Sequence, residues 1–228
     1  MKFASLDNNI IFERLFSERD ILSAFVTDIT GLVFEPSEIR FQDSIVTRSD
    51  NADSFALDCT ANDLGQSRII GIMRFFHISE SDFLSYFHAM IKSCHERTDM
   101  NKPTVCLIGI LTSRKSTGLG LSLISSVANE GKSSHCLLRI NPHHPDSCSD
   151  GSGLDDDPSA DSQAYKGWLE LFRQSLIGGD ISRMNGNRSI IEKAAKLLDY
   201  EGFTENERNE FREQHGYETI QRLRGDRK

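Results

Sequence analysis

The chain lacks any apolar run long enough to cross a bilayer. The longest, VCLIGIL at residues 105–111, falls far short of the about 20 residues a spanning helix needs. A transmembrane helix is therefore not expected. Cysteine is sparse and unpatterned: Cys59, Cys94, Cys106, Cys136 and Cys148 are odd in number, scattered and never in a C-x-x-C pair, which argues against a disulfide framework and against a zinc site. Four of the five sit in apolar runs and read as packed thiols. An excess of basic residues is also missing. With 26 Lys and Arg against 34 Asp and Glu the formal charge is -8, which repels a phosphate backbone at long range and requires a local basic patch for any nucleic-acid contact. The opening MKFASLDNNIIFER has Asp7 and Glu13 around a very short apolar stretch and so has no secretory h-region. An intracellular, cytoplasmic protein is the expectation. No repeat period occurs, and neither does G-x-x-x-x-G-K-[ST], G-x-S-x-G or a Cys/His pattern in its needed context.

The 228 residues carry 38% hydrophobic and 26% charged side chains, the balance of a folded globular chain with one core. Residues 8–31 place Ile11 and Leu15, then Ile21, Leu22, Phe25, Val26 and Ile29, at helical spacing, with Ser17 able to cap a second helix and Gly31 to end it. SEIRFQDSIVTR at 37–48 alternates like a strand in its first half. SFALDCTAND at 54–63 alternates more clearly, with Phe55, Leu57, Cys59 and Ala61 on one face and Asp58 on the other. NDLGQ supplies turn residues, and SRIIGIMRFF returns as the second strand of a hairpin.

From Ser79 the period becomes 3.6, with Phe83, Tyr86, Phe87, Met90, Ile91 and Cys94 along one helical stripe. TVCLIGILTS is continuous in the manner of a strand covered on both faces, and SHCLLRINP predicts a further strand. STGLGLS, with G-x-G but no third glycine, reads as a loop. Residues 141–163 are acidic and almost free of apolar side chains, which predicts a mobile loop. Within it Asp146, Asp150, Gly151 and Asp157 fall on four positions of the calcium-loop pattern. Cys148 breaks that pattern, and His143 and His144 lack a third spaced ligand, so a solvated loop is the reading. Helices follow over AYKGWLELFRQSLIGG, closed by Gly178 and Gly179, over RSIIEKAAKLLDYEGF, and after a capping box from Thr204 to Glu207; the basic end RLRGDRK reads as a frayed terminus.

Several metal nucleases build their site from an aspartate on one hairpin strand and an acidic residue on the next, because period two puts both on one face where they hold a divalent ion. In this context the opening NIIFERLFSERDILSAFVTDITGL, the LDC strand, the GIMR strand, GWLELF and the terminal helices resemble the PD-(D/E)xK nuclease superfamily, in its Rpn-like, transposase-associated branch. The resemblance covers most of the chain at low identity. It implies an α/β (α+β) mixed sheet, a restriction-endonuclease-like core over 1–140, helices on both faces and a helical C-terminal part over 164–228 packed on the same domain.

Carried over residue by residue, the metal aspartate becomes Asp58, the family's glutamate becomes Ile72, its methionine Met73 and its glutamine Arg74; the first acidic position is Glu13, Asp20 or Asp28. Ile72 offers no oxygen. A guanidinium about 6 Å from a divalent ion opposes it by roughly 5 kcal/mol at an effective dielectric near 20. The expectation is thus a vestigial catalytic Asp58, with Arg74 either paired to it or turned outward to a phosphate or acidic partner. No cofactor is expected, and the protein would be a catalytically inactive binding or regulatory module for a protein or nucleic-acid partner, with a homo-oligomer open. The alternative is a DNA or RNA endonuclease using Mg2+ or Mn2+, in which a migrated carboxylate from Asp53, Asp63 or Glu80 fills the gap.

Overall fold

The computed structural model describes residues 2–33, 35–41, 54–63, 66–75, 80–97, 104–112, 121–129, 133–143, 160–180 and 188–213, giving the backbone alone at 54–63, 66–67, 80, 93–97, 121–129, 133–134 and 160–164. Two helices open the chain, α1 (Asn9–Phe16) and α2 (Arg19–Thr30). Asn8 caps α1: its side-chain oxygen accepts from the Ile10 N–H at 2.9 Å and the Ile11 N–H at 3.4 Å, satisfying donors a helix start leaves open. Ser17, expected to cap α2, instead closes α1 through its N–H to the Glu13 carbonyl, and Glu18 stands at the α2 start without a side-chain bond. Gly31 ends α2 in the left-handed region at φ 72°.

The sheet contains β1 (Arg40–Phe41), β2 (Ser54–Asp63), β3 (Gln66–Phe75), β4 (Thr104–Leu111), β5 (Leu121–Asn129) and β6 (Ser133–Ile140), in the order β1-β2-β3-β4-β6-β5. β1, β2 and β3 form an antiparallel meander. Helix α3 (Glu80–Arg97) then returns the chain so that β4 lies parallel to β3, and β6 lies parallel to β4, giving a three-stranded parallel centre. β5 pairs antiparallel with β6 at the edge and was not anticipated from sequence. Of the strand expected over 37–48 only Arg40 and Phe41 are extended, Pro36–Glu38 being a 3-10 turn and 42–48 lying outside the described residues. Val105 to Leu111 of β4 are all buried, as a continuous apolar run requires.

Helices cover both faces. Beneath α3, Phe83 and Phe87 pack with Ile69, Met73 and Phe75 of β3 and with Val105, Leu107, Leu111 and Leu137. Across the sheet, Ile70, Ile72, Cys106, Ile108, Ile110, Leu138 and Ile140 meet α1, α2, α4 (Ala160–Ile177) and α5 (Ser189–Leu197). Phe25 lies at the centre of that side, with ring centroids 5.0 Å from Phe16, 5.3 Å from Trp168 and 5.5 Å from Phe172. α4 begins at Ala160, so a helix takes up residues 160–163 of the stretch expected to be loop. Gly178 ends this helix at φ 68°, and the Thr204–Glu207 capping box forms as expected before helical residues 205–213.

The residues before α1 are clamped by α4, α5 and the residues that follow each of them. The Phe3 N–H bonds the Gly179 carbonyl, the Ala4 N–H bonds Leu198, and the Tyr200 N–H bonds Lys2. Ser175 accepts from the Leu6 N–H at 2.7 Å and donates to the Ala4 carbonyl at 2.7 Å. This clamp sets where α1 starts, and thereby where Asp7 stands. Among the described residues no helix is long and apolar enough to cross a membrane.

Candidate functional site

The three parallel strands end together. β3 closes at Phe75, β4 at Leu111 with Thr112 next, and β6 at Ile140 with Asn141 next, so their carboxyl ends share one edge of the sheet. In open α/β sheets this edge is where side chains and loops from different strands converge. Here it gathers Arg74, Thr112, Asn141 and His143, and the clamp described above brings Asp7 and Asn9 to the same place.

Arg74 has no solvent exposure. Its Nη1 donates to Asp7 Oδ1 at 2.8 Å, and its Nη2 donates to Asn9 Oδ1. The same Asp7 oxygen accepts from Thr112 Oγ1 at 2.8 Å, and the Thr112 N–H continues the sheet by bonding the Phe75 carbonyl at 3.0 Å. His143 Nε2 lies 3.4 Å from the Thr112 carbonyl, while the His143 N–H bonds Asn141 Oδ1 at 3.1 Å. The Asp7 side chain retains 14% exposure, so the pair is a nearly dry carboxylate and guanidinium with added hydrogen bonds on the acid. A charge buried to this degree is tolerated only when it is paired in this way.

The β2–β3 ladder corrects the expected site. Asp58 pairs with Gly71, whereas Arg74 pairs with Phe55, with no break in register between them. Directly opposed residues share a face and faces alternate, so Asp58 stands on the α3 side with Ile69, Gly71 and Met73. Arg74 stands on the other side with Ile70 and Ile72, beneath α1. The expected same-face pair of Asp58 and Arg74 is therefore replaced by the pair of Asp7 and Arg74. Likewise, the residues of β3 that answer Asp58 are Gly71 and Met73, in place of Ile72 and Arg74. Nor is Arg74 turned outward to a phosphate.

The three candidates for the first acidic position are spread over the helical layer. Glu13 is exposed on α1. Asp20 is 2.6 Å from Lys193 of α5, whose ammonium also reaches Glu18 at 3.3 Å. That hydrogen bond from Lys193 holds the Asp20 carboxyl below its ordinary value, and the bond to Asp20 raises the Lys193 ammonium in turn. Asp28, whose side chain keeps 7% exposure, accepts from the Trp168 indole N–H at 2.8 Å and lies 2.5 Å from Arg188. Each therefore holds a helix to its neighbour or faces solvent, and none joins Arg74 among the bonds described.

The missed carboxylate is Asp7, together with Asn9 and Thr112. A faint signal existed in DNN at 7–9, whose Asn8 is a strong helix cap and so fixes Asp7 just outside a helix start. Asp53, Asp146, His144, Cys148, Asp150, Gly151, Asp157 and the basic end at 222–228 lie outside the described residues, and for Asp63 and Glu80 only the backbone is described.

Among the described residues, the side chains beside Asp58 offer no donor set for a divalent ion of the kind the nuclease resemblance implies. Gly71 and Met73 bring no hard oxygen ligand to the face of Asp58, and at the strand ends the Asp7 oxygen already holds a guanidinium. No family model matches the chain, and searches of curated proteins and of solved structures give no match either.

Proposed function

We propose that the protein is a nuclease-like module without nuclease activity, acting as a binding or regulatory partner of a protein or nucleic acid. The observation that carries this reading is the register of the hairpin. Across from Asp58 and one alternation further along, β3 offers a hydrogen atom and a thioether where metal-dependent phosphodiester cleavage needs carboxylate oxygens. The element order supports the nuclease-like part: an opening helical segment, the strand holding Asp58, its partner strand β3 and then helix α3 follow in the order that the resemblance implies. The fixed guanidinium supports the inactive part. Arg74 places a permanent positive charge on Asp7, at the strand ends where a cation would otherwise be drawn. A net charge of -8 favours a protein over nucleic acid as the partner.

The experiment incubates plasmid DNA and structured RNA with the full chain in manganese or magnesium, beside Asp58→Ala. Equal background cleavage by both proteins, and no manganese heat of binding in calorimetry, are the expected results. Cleavage by the natural chain that disappears in Asp58→Ala would overturn the reading in favour of an endonuclease completed by a migrated carboxylate.

A further inference from the structure

A second pair of chemistry-bearing side chains lies at the opposite end of the parallel strands and plays no part in the site above. Cys106 of β4 and Cys136 of β6 are direct register partners, neither is in a disulfide, and both belong to the face covered by α1, α2, α4 and α5. Cys106 is buried, at 1% exposure, while Cys136 is only partly covered. Arg68, two positions before the Ile70 that pairs with Cys106, lies on the same face of β3. The hydrogen bond from Cys106 lowers the Cys136 thiol below its ordinary value; burial works against this, and the Arg68 charge adds to the lowering. A reachable, anion-favoured sulfur backed by a buried second sulfur is the arrangement that peroxide-sensitive thiols use.

We propose that Cys136 and Cys106 form a peroxide-oxidised dithiol, with Cys136 as the attacking sulfur and Cys106 as the resolving one. The Cys136 thiolate attacks one oxygen of hydrogen peroxide; the O–O bond breaks, water leaves with the thiol proton, and a sulfenic acid remains on Cys136. The Cys106 sulfur then attacks the sulfenic sulfur, the S–O bond breaks, the S–S bond forms, and a second water leaves with the Cys106 proton. Two thiols lose two hydrogen atoms and one peroxide becomes two waters. Paired residues on adjacent strands lie about 4.8 Å apart, inside the roughly 4.4–6.8 Å Cα separation that disulfides adopt.

The test treats the full chain with hydrogen peroxide and maps its peptides without reduction. The expected result is a Cys106–Cys136 linked peptide that forms ahead of any product at Cys59, Cys94 or Cys148 and disappears in reduced glutathione. Cys106→Ala is expected to stop at a Cys136 sulfenic acid trapped by dimedone, and Arg68→Met to slow that trapping by at least about twofold. The proposal is overturned if Cys136 stays reduced while another cysteine reacts, or if wild-type Cys136 proceeds to sulfinic acid with no link to Cys106. The wild-type map decides even if a variant fails to fold.

Discussion

Removing the Asp7 carboxylate would take an ion-pair partner from the fully buried guanidinium of Arg74. Breaking a buried pair on one side costs about 3–5 kcal/mol, whereas replacing both members with apolar groups of similar size is often neutral. Asp7→Ala is therefore expected to lower stability by about 3–5 kcal/mol in urea titration, and Asp7→Leu combined with Arg74→Met by much less, the two substitutions coupling strongly. Additive losses would mean that the pair does not act as a unit. A second residue-scale expectation concerns Gly109 of β4, where a Cβ would lie 2.4 Å from Phe83 and 2.5 Å from Phe75. Gly109→Ala should cost about 1–3 kcal/mol by overpacking, with the loss partly relieved in a background carrying Phe83→Leu.

At the scale of elements, α5 is held to the start of α2 by Lys193, which bridges Glu18 and Asp20 at the surface. The folded carboxyl of Asp20 lies below its ordinary value, so its contribution is present above the unfolded value near 3.9 and fades as pH falls through the folded one. Lys193 lies above its ordinary value, so its share is complete below about 10.4 and fades as pH rises through the folded value. Both groups are roughly half exposed, and solvent screening keeps such a pair well under about 1 kcal/mol. Lys193→Ala should consequently lower the melting temperature slightly between those limits, and not at all in molar salt.

Elements differ in how much of them the sequence disclosed. The buried positions of α1 and α2 were legible because Ile11, Leu15, Ile21, Leu22, Phe25, Val26 and Ile29 repeat with the local helical period. β5 was not, since LSLISSVAN interleaves serine with aliphatics and reads like the loop before it. The face of Arg74 was misjudged through the turn. Asp63 pairs with Gln66, so only residues 64 and 65 connect the strands; bringing Ile72 opposite Asp58 would require one more residue in that connection. Parity was thus written in the loop length. The pairing of Asp7 with Arg74 was not, because 67 residues separate the two and no local pattern links them.

Across the whole molecule, residues from both ends of the described chain share one core, which runs from Phe3 to Phe203. Ser175 is the small hinge of that union, bonding Leu6 and Ala4 from 169 and 171 residues away. Ser175→Ala strands a buried N–H and is expected to cost about 1–3 kcal/mol. In hydrogen exchange it should also loosen the amides of residues 3–8 together with those closing α4. Loosening of α4 alone would show that the opening segment is secured elsewhere.

That clamp also orders events during synthesis. Residues 2–4 are made well before the carbonyls and amides that receive them, which belong to residues 179–200. Until translation has passed residue 200, the segment at 2–4 can only wait, and the carboxylate of Asp7 waits with it. A chaperone bound to residues 2–4 would therefore delay closure of the core that runs from Phe3 to Phe203.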